Sequence, residues 1–156
     1  KRVIDVSVYL ARLGLREPPK GFGGKRAVAY HDACHLANAQ NVRSEPRDLL
    51  RAIPGVEVKE LANAHMCCGS AGTYNLDQPE TAASLGAQKA AAVTAALSSG
   101  SDFRPEFGGQ AGQAGSGTVA TGNIGCLTQL KTHLAKSGSS IQVRHTMQVL
   151  RDAYRE

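Results

Sequence analysis

The sequence predicts an α/β protein with a mostly parallel sheet of about four strands. Short stretches typical of buried strands recur four times, and each is followed by a longer stretch with helical periodicity. Such alternation favours parallel strands joined by right-handed crossovers, which is a Rossmann-like sandwich. The 156 residues are enough for one domain with a hydrophobic core and too few for two comfortable domains.

The first half of the chain supplies a leading helix and two strands. A helix over 4–13 ends at Gly14, and the loop 16–24 that follows is rich in proline and glycine. The segment Ala27–His31 has the composition of a short buried strand, and Val56–Leu61 alternates apolar and polar residues as a second strand does. Two helical stretches lie between these strands, one beginning at 36–40 and one that follows Pro46 and stops at Pro54-Gly55.

The second half contains a turn-rich segment, a long helix and two more strand–helix pairs. An alanine-rich helix is predicted from about Pro79 to Leu97. Residues 98–117 are rich in glycine and serine and cannot bury enough surface to offset their ordering entropy, which predicts a flexible surface insertion. The remaining predicted elements are strands at 118–121 and 141–144 and helices at 127–136 and 146–154.

Charge and composition exclude some classes of function. The net charge is +5, but the basic residues are scattered, only 4% of residues are aromatic and tryptophan is absent. Single-stranded nucleic acid is bound on aromatic platforms and basic grooves, so no nucleic-acid binding is expected. The basic surface suits an acidic partner or a peripheral contact with a membrane. With no apolar leader we expect a cytoplasmic protein, and because the chain starts with Lys1 we expect a fragment of a longer subunit.

The four cysteines follow three different predicted strands. Cys34 comes after the first strand, Cys67 and Cys68 come after the second, and Cys126 comes after the third. The carboxyl ends of parallel strands open at one edge of the sheet, so these thiols are expected to converge there. In a reducing compartment, cysteines in such a pattern bind metal or do chemistry more often than they form disulfides.

Small residues beside the cysteines indicate a pocket for a cofactor. Gly69 follows the cysteine pair and Gly125 precedes the last cysteine, so both leave room for close backbone approach. Cys126 is also expected at a helix N-terminus, where the partial positive charge favours a thiolate. We therefore predict that Cys34, Cys67, Cys68 and Cys126 are metal ligands and that Gly69 and Gly125 line the cofactor.

The spacing leaves several occupants open. Zinc sites with four cysteines usually show two short C-x-x-C knuckles, which this sequence lacks, whereas an iron–sulfur cluster can accept thiolates from adjacent residues. An iron–sulfur cluster is therefore favoured over zinc, a redox-active or vicinal disulfide, and four merely buried thiols. His31, His35, His65 and His145 are expected to hydrogen-bond near the cluster rather than to ligate it. Asp32 is expected to cap the following helix.

Four segments together resemble a known family: Tyr30–Leu36, Cys67–Asn75 with the string CCGSAGTYN, Thr121–Leu127, and Val143–His145. They are similar to the cysteine-rich (CCG) domain of the heterodisulfide reductase and glycolate oxidase iron–sulfur families, most of all to the C-terminal part of the glycolate oxidase iron–sulfur subunit. The resemblance implies a single CCG-type domain over 1–156 that holds an iron–sulfur cluster, expected to be 4Fe-4S. It also implies partner subunits that carry FAD and oxidise glycolate, with electrons passing on towards quinone.

The family pattern and this sequence differ at one informative position. The last family motif ends in C-x-x-C, but Gln129 stands where the second cysteine of that motif would be. The absence of a fifth thiolate argues against catalytic disulfide cleavage and favours electron relay with no catalytic residue in this chain. The alternatives are a heterodisulfide reductase-like thiol/disulfide catalyst and a zinc-stabilised interaction module.

Overall fold

The computed structural model describes residues 3–98 and 117–155, which form a four-stranded sheet with helices on both faces. The elements of these residues run in the order α1 (Val6–Leu13), β1 (Arg26–Tyr30), a π-helical turn (His35–Ala39), α2 (Ser44–Arg51), β2 (Val56–Glu60), α3 (Tyr74–Asp77), α4 (Pro79–Ser98), β3 (Thr118–Thr121), α5 (Ile124–Lys136), β4 (Gln142–His145) and α6 (Thr146–Arg155).

The sheet is parallel throughout, and its strand order is β2-β1-β3-β4. Val28 of β1 pairs with Val58 on one side and with Thr118 on the other. The predicted α/β class and the mostly parallel sheet of about four strands are therefore confirmed. Because the chain moves outward from β1 first to β2 and then in the other direction to β3, the order reverses between β1 and β3. The carboxyl ends of two such strands flank the crevice where open α/β sheets bind ligands.

Two hydrophobic layers hold the helices against the sheet. Alternate residues of β1 point to opposite faces. Tyr30 packs with Leu50 of α2 and Leu150 of α6, while Ala29 packs with Val93 of α4 and Leu130 of α5. These side chains are almost completely buried, and fully burying a leucine or valine contributes about 1.5–3 kcal/mol. This packing fixes the carboxyl ends of the strands, and the cysteines lie in the segments that follow them.

Some element boundaries differ from the predicted ones. The stretch after Cys34 is a π-helical turn rather than the start of an α-helix. Helix α5 begins at Ile124, three residues before the predicted start, because the side chain of Asn123 caps it. Of the predicted insertion at 98–117, the part from 99 to 116 lies outside the described residues. Ser98 ends α4, and Gly117 directly precedes β3. Within 3–98 and 117–155, no helix combines the length and the apolar character needed to cross a bilayer.

Candidate metal centre

The end of β1 brings His31 and Cys34 to the carboxyl edge of the sheet. The amide of His31 donates to the carbonyl of Ala120 at 2.9 Å, so the pairing of β1 with β3 continues one residue beyond the strand. Ala33 is completely buried, and its carbonyl accepts the amides of Leu36 and Ala37 as the chain turns. Cys34 lies on this turn and is half-buried.

The loop that carries Cys34 is held by an ion pair that the sequence did not suggest. Arg47 of α2 makes two hydrogen bonds to the carboxylate of Asp32, at 2.9 and 2.7 Å, and two more to Glu60, at 2.8 and 2.7 Å. The guanidinium also stacks over the ring of Tyr30, 4.5 Å from its centroid. Burial alone would lower the pKa of Arg47, but the hydrogen bonds to both carboxylates raise it above its usual value.

The expectation that Asp32 caps the following helix is therefore wrong. The carboxylate of Asp32 forms a salt bridge with Arg47, and the π-helical turn begins without a side-chain cap. Arg47 was only one of several scattered basic residues in the sequence. The amphipathic pattern of the proline-bounded helix that carries Arg47 indicates that one face is buried. It does not identify the carboxylate that Arg47 contacts.

Cys68 and Cys126 meet in the interior although 58 positions separate them. Their Sγ atoms are 3.2 Å apart, and both side chains are buried. The hydroxyl of Ser70 lies 3.2 Å from the Cys68 sulfur, and the amide of Gly69 donates to the Cys67 sulfur at 3.3 Å. All four cysteines are free thiols, with Cys34 and Cys67 only partly buried.

The thiols perturb one another's protonation. The hydrogen bond between the Cys68 and Cys126 thiols lowers the pKa of Cys68, and together with the contributions of His31 and Ser70 it outweighs the effect of burial. The same hydrogen bond, together with burial, raises the pKa of Cys126. Burial is also the main reason why the pKa of Cys67 is raised, and the nearby charges of Cys68 and Cys34 add to it. Of the two buried thiols, Cys68 is therefore the more acidic.

Local backbone features place Cys126 at a helix N-terminus, as predicted. The side chain of Asn123 accepts a hydrogen bond from the Cys126 amide at 3.1 Å and so caps α5. The positive end of the helix dipole lies at this residue and opposes the burial and the hydrogen bond that raise the pKa of Cys126. A Cβ atom on Gly125 would lie 3.0 Å from Ser70 Oγ, so glycine lets the loop after Cys68 approach this helix closely.

Gly69 also allows a close backbone approach, in this case between the turn after Cys68 and helix α4. Its φ is +86°, and a Cβ atom there would lie 2.5 Å from the carbonyl oxygen of Ala82. The chain can therefore turn directly after Cys68 and pack against the first turns of α4 only because residue 69 lacks a side chain.

His31 lies beside the buried thiol pair. A ring nitrogen of His31 and the sulfur atoms of Cys68 and Cys126 all lie within 4.8 Å of one another. The residue is 1% exposed, and neither ring nitrogen has a hydrogen-bond partner within the described part of the chain. The sequence placed His31 near the cysteines but could not show that its imidazole is enclosed with two of them.

The other polar residues considered from the sequence are engaged elsewhere or exposed. His35 and His65 are exposed. Nδ1 of His145 accepts a hydrogen bond from the Met147 amide at 3.1 Å, at the start of α6. The side-chain amide of Gln129 donates to the carbonyl of Ala82 at 3.0 Å, so its nitrogen holds α5 against α4.

One cation near the site was missed. Lys89 of α4 is completely buried, and its ammonium donates to the backbone carbonyl and to the side-chain oxygen of Asn63. Burial lowers the pKa of Lys89, although negative charge on Cys68 and Cys67 opposes this effect. In the sequence Lys89 lies within an alanine-rich helix and has no feature that separates it from a surface lysine.

The donor set fits an iron–sulfur cluster. Thiolate sulfur is the standard ligand of such clusters, and the structure brings Cys68 and Cys126 together with His31. Cys34 and Cys67 lie on the loops after β1 and β2 and are outside this close group. Glycine at 69 and 125 keeps side chains out of the adjoining turns. A helix N-terminus and a buried ammonium provide positive charge that favours an anionic cluster.

Known proteins share these features of the sequence. Residues 28–131 match the family model described as CCG, cysteine-rich domain. The chain is 33% identical over 144 residues to the probable glycolate oxidase iron-sulfur subunit of Bacillus subtilis, an alignment covering 92% of this chain and 28% of that protein. It is 33% identical over 156 residues to the glycolate oxidase iron-sulfur subunit of Escherichia coli, covering 98% of this chain and 32% of that protein.

A third relative matches over a shorter stretch. One subunit of the fumarate reductase (CoM/CoB) of Methanothermobacter marburgensis is 47% identical over 90 residues, which cover 56% of this chain and 18% of that protein. The chain thus spans about a third or less of the length of these three relatives. No solved structure matches the chain.

Proposed function

The chain belongs to the CCG cysteine-rich domain family, and from this premise we propose that it is an electron-relay domain built around one iron–sulfur cluster. The observation that carries the proposal is the meeting of Cys68 and Cys126, whose sulfur atoms lie 3.2 Å apart although they follow different strands. A cluster held at this point takes up and releases single electrons. Burial of this pair supports relay, because electron transfer needs a shielded cofactor rather than an open substrate cleft.

Cys34, Cys67, Cys68 and Cys126 would hold the cluster, and a 4Fe-4S type is consistent with four thiolates. The buried pair would bind its inner side, and the half-buried Cys34 and Cys67 would bind its outer side. Gly69 and Gly125 would let the surrounding backbone come close without intruding side chains. The capped N-terminus of α5 and the ammonium of Lys89 would balance the negative charge of the thiolates.

Disulfide chemistry is less well supported than relay. Gln129 stands where the family motif would place a fifth thiolate, and its side-chain amide donates a hydrogen bond to the carbonyl of Ala82. Glutamine has no thiol to exchange with a disulfide substrate. We therefore assign no catalytic residue to this chain.

The wider setting follows from the names of the relatives. The Bacillus subtilis and Escherichia coli relatives are named as iron-sulfur subunits of glycolate oxidase. We propose that this domain receives electrons from FAD-bearing partner subunits that oxidise glycolate or a similar 2-hydroxy acid, and passes them towards quinone. The basic surface, with a net charge of +5, would support peripheral contact with an anionic membrane.

The first test is the metal and sulfide content of the chain after anaerobic purification. We expect near-equal amounts of iron and acid-labile sulfide in the wild type and their loss in Cys126→Ser. Ala135→Ser, at an exposed position on the same helix, is the matched control and should retain both. One zinc per chain without sulfide would contradict the proposal and identify a structural zinc module. Release of new thiols on addition of a disulfide substrate would instead identify a thiol-redox catalyst.

A further inference from the structure

We infer that His31 binds one iron of the cluster directly through a ring nitrogen, in the position that one of the two half-buried cysteines would otherwise take. The inference rests on the proposed function, because it presupposes a cluster at this site. It concerns the buried half of the site, where the imidazole lies with Cys68 and Cys126.

The imidazole of His31 is buried without a hydrogen-bond partner among the described residues. His31 is 1% exposed, yet both Nδ1 and Nε2 lack a hydrogen-bond partner among the described residues. The large majority of buried side-chain polar atoms in proteins have a hydrogen-bond partner, so an enclosed ring with two unpaired nitrogens indicates a missing binding partner.

Three possible donor atoms, one of them a ring nitrogen of His31, lie close together in the interior. A ring nitrogen of His31 lies within 4.8 Å of both buried sulfur atoms, and these three donors come from the residue after β1, the loop after β2 and the first turn of α5. The backbone of His31 is fixed by its hydrogen bond to Ala120 at 2.9 Å, so the ring is positioned by the sheet itself. Imidazole nitrogen and cysteine sulfur are donors that transition metals prefer in proteins, so this group is suited to bind one.

If His31 only donated a hydrogen bond, one of its two ring nitrogens would stay without a partner. A neutral imidazole has one N–H donor and one nitrogen lone pair. Donation to a thiolate would satisfy the N–H but would leave the lone pair buried and unpaired. Ligation uses the lone pair and leaves the N–H free to donate to sulfur, so it satisfies both nitrogens.

The other candidate donors do not compete for this position. His35 and His65 are exposed. Nδ1 of His145 already accepts the Met147 amide, and the amide nitrogen of Gln129 donates to Ala82. His31 is therefore the non-cysteine residue best placed to bind iron. A neutral imidazole adds less negative charge than a thiolate, so its ligation raises the reduction potential of a cluster.

Pulsed EPR on the anaerobically purified chain labelled with ¹⁵N-histidine tests this inference. The cluster is set to its paramagnetic redox state, and iron and sulfide are measured on the same sample. We expect a nitrogen hyperfine coupling of the size given by directly bound imidazole. It should persist in His65→Asn, an exposed control, and should be lost in His31→Cys, whose thiolate can still hold iron and should lower the reduction potential.

The outcomes separate the two proposals. A loaded cluster without nitrogen coupling in the wild type would overturn ligation by His31 and leave the cysteine-bound cluster intact. A coupling that survives in His31→Cys would assign the ligand to another nitrogen and would also overturn the inference. A chain without iron and sulfide would overturn the proposed function, and ligation by His31 with it.

Discussion

Replacement of Gly69 by alanine tests whether the turn after Cys68 must pack against α4. The backbone at Gly69 has a φ of +86°, which costs an L-residue about 1–2 kcal/mol. The added Cβ would lie 2.5 Å from Ala82 O, well inside an ordinary contact of 3.4 Å. Overpacking against backbone atoms costs about 1–3 kcal/mol more. We expect Gly69→Ala to lower the free energy of unfolding by roughly 2–5 kcal/mol, a large share of the stability of a typical domain.

Gly72→Ala separates the two contributions. Gly72 also has a positive φ, +53°, but a Cβ atom there would meet nothing within 4 Å. Gly72→Ala should therefore lower the free energy of unfolding only by the backbone strain, about 1–2 kcal/mol. Urea unfolding followed by circular dichroism gives both free energies, and sulfide content reports the site. Equal losses in the two variants, with the cluster retained in both, would refute the close approach of Gly69 to α4.

Three further predictions concern charge. Lys89→Met removes a buried cation and should lower the midpoint potential of the cluster by tens of millivolts, whereas the exposed Lys131→Met should leave it unchanged in an anaerobic redox titration. Asp32→Ala leaves Arg47 with one carboxylate partner instead of two and should cost about 2–3 kcal/mol in urea unfolding; a loss below about 0.5 kcal/mol would show that the pair does not hold the loop. Burial lowers the pKa of His133 below its ordinary value of 6.5, so the unfolded chain binds that proton more readily. Stability should therefore fall as the pH drops below about 6.5, and His133→Gln should lose less stability than the wild type between about pH 7.5 and pH 5.5.

The order of elements and the edge of the sheet at which the cysteines lie could be predicted from the sequence. Strand alternation and the glycine and proline stops show where each strand ends, and parallel pairing brings those ends to one edge. The positions of Cys34, Cys68 and Cys126 relative to the sheet follow from that rule alone. Local signals also place Cys126 at a helix start, because Asn123 is a strong capping residue.

The contacts that tune the site could not be predicted in the same way. Lys89 of α4 is buried because its ammonium reaches Asn63, which lies 26 positions earlier in the loop after β2. Arg47 is ordered by Asp32 and Glu60, which lie at the carboxyl ends of two neighbouring strands. Such contacts depend on how elements distant in sequence pack together, and hydrophobic periodicity carries no information about them.

The most direct test of the central claim is a reversible reductive titration of the anaerobically purified chain, followed by EPR and optical absorption. Electron relay predicts that one electron per cluster is taken up and returned, with a paramagnetic signal that appears and disappears in step and no change in free thiols. Uptake of two electrons per chain with the appearance of new thiols, or no reversible uptake at all, would contradict the account.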